Sequence, residues 1–501
     1  MCGIIGICTT SPVMQDIYDG LVVLQHRGQD SAGMVTYDGH FYLKKGNGYV
    51  RDVFQAKHIQ RLKGLVGIGH VRYPTAGSYD ASEAQPFYVN APFGLAMIHN
   101  GNLTNYSELK DQVTHLNARY LNTASDSEVL LNVLADEIGR IRTKHLSPEQ
   151  IFRALKKVYK RLKGSYSVLC IIAGHGLLAF RDPHGIRPLV FGQRDAAAGR
   201  EYVIASESVA LNTLGFKFVR DVKPGEAIFI DLNRQVFSKQ IERTKWAPCI
   251  FEYVYLARPD SVLDGVSVYK SRLRMGKFLA HKIKKAMAEG LKIDVVMPIP
   301  DTARSASFEI ASELGLPCRE GLIKNRYIGR TFIMPGQGMR KRSIKYKLNP
   351  IPLEIEGKNI LLIDDSIVRG NTSRKIIEMV REAGAKKVYF ASCCPPLRNP
   401  CVYGVDMPSR KDFIANNLSI EEIGKAIGAD AIFYQELKDL VSAVQAGNPK
   451  IKNFCTACLG GKYPTSDITE EVLQRAELAR GSIQAEGGGA DNPDEDQLVL
   501  I

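Results

Sequence analysis

From its start to about residue 235 the chain consists of short apolar, β-branched runs separated by glycine-rich turns. GLVGIGHVRY (64–73), FGLAMIHNGNL (93–103), YSVLCIIAG (166–174) and EYVIASES (201–208) are examples. Two stretches, 126–142 and 148–162, carry helical spacing instead. That mixture predicts an α+β region with extensive antiparallel sheet, closed by a strand pair within 223–246. Near Cys249 the rhythm changes, and helices alternate with single buried strands. Helical patterns at 266–290, 302–315 and 373–384 flank apolar strands in 294–300, 355–366 and 386–393. Strand, loop, helix and strand in that order predict a parallel, doubly wound sheet. From Gly481 onward Gly, Asp, Glu, Asn and Pro dominate, which predicts a disordered tail over 481–501. The pattern therefore divides into domains at 2–235 and 250–470 plus that tail.

Composition narrows this picture. A chain of 501 residues is too long for one core, and 45% hydrophobic with 24% charged residues is an ordinary globular balance. No apolar run approaches the roughly 18–20 residues that span a bilayer. The start, MCGIIGICTT, has neither a basic leader nor a long apolar core, so a cytoplasmic protein with no membrane partner is expected. The formal charge of +13 is spread along the chain, densest from Lys324 to Lys347. No nucleic-acid reader motif accompanies it, so no nucleic acid is expected as partner, and phosphorylated small molecules suit the basic stretch better. Ten unevenly spaced cysteines without an export signal argue for metal binding, catalysis or core packing over disulfides.

The first candidate chemistry is at Cys2. Removal of Met1 would leave cysteine with a free α-amino group, whose pKa of roughly 7.7–8.0 lets it act as general base for its own thiol. Downstream come QHRGQDSAG (25–33), GHVRYPTAG (69–77), HNGNL (99–103) and SDSE (125–128). Arg72 offers a bidentate fork for an α-carboxylate and Asp126 a partner for an α-ammonium. Asn100 and the backbone N–H of Gly101 suit a developing oxyanion. At these residues the sequence resembles the class-II, N-terminal-nucleophile glutamine amidotransferases. The resemblance implies an αββα sandwich, with Cys2 as nucleophile, Asn100 and Gly101 as oxyanion hole, and Arg72 and Asp126 as glutamine binders. It also brings His26, Arg27 and Gly28 to the glutamine site as its buttress.

The second candidate is NILLIDDSIVRGNTSRKI (359–376). An apolar strand ends in Asp364 and Asp365, and a glycine- and hydroxyl-bearing loop leads into a helix. Loop amides and a helix N-terminus make a phosphate cradle, and paired acids at the strand's carboxyl end suit ribose hydroxyls or magnesium. The segment resembles the phosphoribosylpyrophosphate (PRPP) motif of the type I phosphoribosyltransferases. By that resemblance Ser366, Arg369, Gly370, Asn371, Thr372 and Ser373 line the PRPP site. VVMPIPDTA (295–303) would be the pyrophosphate loop, with Asp301 and Thr302 toward the diphosphate and Mg2+ held near Thr302, Asp364 and Asp365. KNRYIGRTFIMPGQGMRKRS (324–343) would be the closing loop, with Lys324, Arg326 and Arg330 balancing substrate charge.

A glutaminase followed by a phosphoribosyltransferase is the arrangement of the glutamine PRPP amidotransferases. The resemblance implies conversion of PRPP, glutamine and water to 5-phosphoribosylamine, pyrophosphate and glutamate, the first committed step of purine (IMP) synthesis. It implies feedback by purine nucleotides and a homodimer or homotetramer. Some members carry a [4Fe–4S] cluster, and Cys249, Cys401, Cys455 and Cys458 fall at the ligand places. The remaining cysteines, Cys8, Cys170, Cys318, Cys393 and Cys394, are expected in the core. Amino-sugar synthases and asparagine synthetases share the first half but not the Asp364–Asp365 motif. The alternative, a PRPP-binding regulator with a vestigial glutaminase, would have lost Cys2, Arg72 or Asp365, and all three are present.

Overall fold

Alternation within single strands builds the first half. In the strand Gly3–Cys8, Ile5 and Ile7 face one core while Ile4 and Cys8 face another, as the period of two requires. The computed structural model describes the chain except for Met1, 74–79, 326–347, Pro408, 487–497 and Ile501. Strand Gly3–Cys8 lies inside an antiparallel sheet of eight, between strands Gly199–Ala205 and Val66–Arg72. A second antiparallel sheet of six is centred on Gly164–Ile172, which pairs with Gly176–Arg181 and Leu95–Leu103.

Between the two sheets Ile4, Ile68 and Ile204 meet Ile98, Leu169 and Ile228. The outer face of the larger sheet is covered by Met14–Val23 through Ile17 and Leu21. The outer face of the smaller is covered by Asp126–Gly139 and Pro148–Arg161 through Leu130, Leu134, Ile151 and Leu155. The expected αββα order is therefore observed. Its last strand, Val236–Gln240, belongs to the six-stranded sheet, so this unit runs past the boundary expected at 235.

The second half is built on four parallel strands in the order Val295–Pro298, Asn359–Asp364, Lys387–Ser392 and Ala431–Tyr434. Alternate residues again divide the faces. Leu362, Val388 and Phe390 pack on Ile376 and Val380 of the helix Asn371–Glu382. Leu361, Ile363 and Ala391 pack on Leu279 and Ile283 of the helix Val268–Ala288. Burial on both faces is the requirement for a parallel sheet.

Two features depart from the expected division. One core cluster unites residues of both halves, from Ile5 and Ile17 through Ile250, Tyr253 and Tyr403 to Phe454. The C-terminal region also differs from the expected disordered tail. The helix Glu470–Glu486 continues through 481, and Leu498–Leu500 pairs with the edge strand Phe41–Asn47. Composition registers the low apolar content there but carries no signal for added edge pairing, which is a backbone interaction. Among the described residues no helix is long and apolar enough to cross a membrane.

Candidate active sites

Cys2 stands at the mouth of the first strand, half-buried. Its backbone nitrogen lies 3.4 Å from Asn100 Oδ1, and its carbonyl accepts a 3.0 Å bond from Arg27 Nε. Asn100 and Gly101 sit on the strand Leu95–Leu103, which the register places against Ser167 and Tyr166. Asn100 is almost wholly buried, yet its Nδ2 has no hydrogen-bond partner among the described residues. An unpaired buried amide donor is costly, on the order of 1–3 kcal/mol, and calls for an acceptor that arrives with a ligand. Gly101 has no space for a side chain: a methyl there would stand 2.0 Å from the Ser165 carbonyl oxygen.

The predicted glutamine binders surround this strand. Asp126, in the first turn of its helix, accepts the Leu103 N–H at 2.9 Å and lies 3.8 Å from His99 Nδ1. Arg72, at the end of the strand Val66–Arg72, bonds Glu83 at 2.6 Å, so its charge is balanced before any carboxylate arrives. His70 is buried two residues earlier, and burial with the Arg72 charge holds its imidazole neutral, at about 3.

Arg27 and His26 act behind the nucleophile. Arg27 is fully buried between Glu207 and Glu252, with 2.9 Å from Nη2 to Glu252 Oε1. His26 Nε2 meets Glu207 at 2.7 Å. Among the described residues His26, Arg27, the Ser261 hydroxyl and the Arg258 N–H donate to Glu207. These partners overcome its burial and hold the carboxyl well below the usual range. Gly28 lets the chain press against Arg72, where a methyl would stand 2.5 Å from the Arg72 carbonyl carbon. Glu207 and Glu252 were not singled out from sequence. Their role depends on a contact between residues 225 positions apart.

In the second half, Asp364 ends its strand next to Pro298 and Ser392, at the sheet's carboxyl edge where such folds bind ligands. The Asp365 carboxyl accepts the hydroxyls of Ser366, at 2.7 Å, and of Thr302. Asp364 Oδ1 accepts the Asp365 N–H at 2.9 Å. Burial, opposed by these hydroxyls and by Arg272, raises Asp365 to about 6, and burial with the neighbouring acid raises Asp364 well above the usual carboxylate range. Two acids that resist ionisation together are matched to a cation. Gly370 caps the helix Asn371–Glu382 at φ +77, and a methyl on it would meet Ile414 Cδ1 at 2.4 Å. Asn371 and Thr372 are exposed at that N-terminus, while Ser373 is buried. Asp301 pairs with Lys324 at 3.0 Å and with Arg304 at 3.5 Å. Arg369 instead faces Asp412 at 3.6 Å. Arg326 and Arg330 lie outside the described residues.

Cys249, Cys401, Cys455 and Cys458 are all buried. Cys249 and Cys455 form a parallel bridge, and the Cys458 carbonyl accepts the N–H groups of Arg398 and Asn399, just before Cys401. Cys401 Sγ accepts the Tyr403 N–H at 3.3 Å. The four are electrostatic neighbours, with the Arg187 guanidinium beside three of them. Burial raises the Cys249, Cys455 and Cys458 thiols, and the Arg187 guanidinium opposes this at Cys249 and Cys455. Among the described residues no group of three or more His, Cys, Asp or Glu is placed to hold a metal ion. Cys8, Cys170, Cys393 and Cys394 are buried as expected, and Cys318 is partly so.

Comparison with known proteins agrees with this division. A glutamine amidotransferase domain model matches residues 74–213 and a phosphoribosyl transferase domain model matches 267–417. The chain is 56% identical to the amidophosphoribosyltransferase of Pseudomonas aeruginosa and 54% identical to that of Escherichia coli, over 96% of each chain. The Methanocaldococcus jannaschii protein of the same name is 43% identical over 95% of this chain and all of its own. The glutamine PRPP amidotransferase from B. subtilis, solved with ADP and GMP, superposes with a TM-score of 0.83 at 36% identity, covering 95% of this chain and 100% of that one. A structure described as the allosteric regulatory enzyme of purine biosynthesis gives 0.84, also at 36% identity and over 95% and 99% of the two chains.

Proposed function

The chain belongs to the amidophosphoribosyltransferases, pentosyltransferases with glutaminase activity at the first step of purine biosynthesis, and on that premise we propose how its residues divide the reaction. Once Met1 is removed, the Cys2 α-amino group takes the thiol proton and the thiolate attacks the glutamine side-chain carbonyl. Asn100 Nδ2 and the Gly101 N–H receive the oxyanion, while Arg72 and Asp126 hold the substrate's α-carboxylate and α-ammonium. Ammonia leaves, and water hydrolyses the thioester to glutamate. Ammonia then displaces pyrophosphate at ribose C1 of PRPP, which is bound at residues 366–373, Asp301, Thr302 and Lys324, with Arg326 and Arg330 from the closing loop. Mg2+ near Thr302, Asp364 and Asp365 would neutralise diphosphate charge.

The observation that carries the glutaminase assignment is the unpaired, buried Asn100 Nδ2 beside Cys2. A glutaminase assay with and without PRPP, following pyrophosphate release, tests the whole scheme. Hydrolysis should be slow alone and rise with PRPP in step with pyrophosphate, whereas equal rates would mean that the two sites are not coupled.

The burial and mutual proximity of Cys249, Cys401, Cys455 and Cys458 support a [4Fe–4S] cluster on them, which would tie three distant segments of the chain together. Iron content and visible absorbance of protein purified anaerobically test it; a colourless, iron-free and fully active preparation would remove the cluster from the account. The B. subtilis relative's complex with ADP and GMP supports feedback by purine nucleotides. A thermal shift with AMP or GMP tests this, and no shift at millimolar concentration counts against it. The family resemblance supports a cytoplasmic homodimer or homotetramer.

A further inference from the structure

The oxyanion strand of the first half is in direct backbone contact with the second half at Gly101. Residue 101 is confined from two sides. On one side the Ser165 carbonyl oxygen occupies the space where a side chain would begin. On the other lies Gly404, at φ +91, where a methyl would stand 2.7 Å from Gly101 O, 2.9 Å from its carbonyl carbon and 3.2 Å from its Cα. The two residues preceding Gly404 anchor it. The Val402 carbonyl accepts Asn102 Nδ2 at 3.0 Å, and the Tyr403 carbonyl accepts the buried Ser165 hydroxyl at 2.8 Å. The Tyr403 ring is wholly buried, and its hydroxyl meets Thr465 Oγ1 at 2.7 Å.

Three consecutive residues of the second half thus each touch the strand pair that carries Asn100 and Gly101. A contact of backbone on backbone has no rotamers to absorb a shift, so it transmits displacement directly to the Gly101 peptide. Oxyanion donors act only within about 2.7–3.1 Å of the developing charge, and a misplacement of about 1 Å can cost around 100-fold in rate.

We infer that Gly404, held by Val402 and Tyr403, is a positioning residue for the oxyanion donors Asn100 and Gly101. The inference rests on the glutaminase reading above and adds to it a dependence of glutamine chemistry on a loop of the opposite half. Among the described residues, Val402 and Tyr403 bond Asn102, Ser165, Cys401 and Thr465, none of them assigned to PRPP.

Gly404→Ala tests this in the full chain. Glutamine-dependent kcat should fall by at least about tenfold, with the glutamine KM, the ammonia-dependent turnover and the PRPP KM each within about twofold of wild type. Alkylation of Cys2 by iodoacetamide develops no oxyanion, so its rate, read at the Cys2 peptide, should stay within about twofold. Ser165→Ala removes the Tyr403 anchor without adding bulk, and should give the same pattern at about threefold. It decides the matter if Gly404→Ala does not fold. Unchanged glutamine turnover in both variants, or equal loss of glutamine- and ammonia-dependent turnover, would overturn the inference. If the wild-type chain itself released no ammonia from glutamine, the glutaminase reading would have failed instead.

Discussion

The two sites are built in opposite ways. The glutamine site borrows from the other half: Glu252 holds Arg27 against Cys2, and Val402, Tyr403 and Gly404 back the oxyanion strand. Among the described residues, the hydrogen bonds and ion pairs at Asp301, Asp364 and Asp365 all go to residues of the second half. One site is buried strand backbone fixed from both halves; the other is loop and carboxylate at a sheet edge, held by its own domain. The difference teaches that damage should spread in one direction. The second half can perturb glutamine chemistry through packing, whereas loss of the first site leaves the second able to use free ammonia.

The largest effect should come from the self-contained site. Asp365→Asn is expected to lower glutamine- and ammonia-dependent turnover together by at least about 100-fold, because charge opposite the departing diphosphate is worth several kcal/mol. Loss of only the glutamine-dependent rate would contradict the assignment. Asn100→Ala should cost about 100- to 1,000-fold in glutamine-dependent kcat and spare ammonia use. A loss in both assays would place Asn100 outside the oxyanion role.

Glu252→Gln tests the borrowed support. It leaves Arg27 and Arg187 short of a buried countercharge, a class of change that costs up to about 3–5 kcal/mol. Thermal denaturation should shift downward, and glutamine-dependent turnover should fall more than ammonia-dependent turnover. An unchanged ratio of the two would mean that the pair is only structural.

The smallest effect concerns the junction itself. Burial and the nearby Asp264 raise the Asp221 carboxyl to about 7, while its oxygens accept the N–H groups of Asp264 and Gly265. The folded state therefore holds a proton that the unfolded chain, with a pKa near 3.9, has released. Between about pH 4 and 7 this group favours folding less as pH rises, and the contribution is lost above 7. Asp221→Asn should flatten that slope in Tm against pH; an identical slope would refute the assignment.

Much of this was legible from residue order. The strands Val66–Arg72 and Leu95–Leu103, the helix opened by Asp126 and the acids at the end of Asn359–Asp364 all follow local patterns, and they were expected where they occur. Glu207, Glu252 and Gly404 were not, because each acts across a long sequence separation on a partner that periodicity cannot name. Nor did composition give the helix through Glu486 or the pairing of Leu498–Leu500, since edge pairing uses backbone rather than side-chain pattern.

The central claim is that Cys2 supplies ammonia to a separate PRPP site, and Cys2→Ala measures it most directly. Pyrophosphate release is followed with glutamine and then with ammonium salt as nitrogen donor. The account predicts that glutamine-dependent release disappears while ammonia-dependent release stays within about twofold of wild type, since among the described residues the bonds of Cys2 go to Arg27, Tyr73 and Asn100 of the first half. Loss of both would contradict the division of labour between the two halves, and persistence of the glutamine-dependent rate would remove Cys2 as the nucleophile.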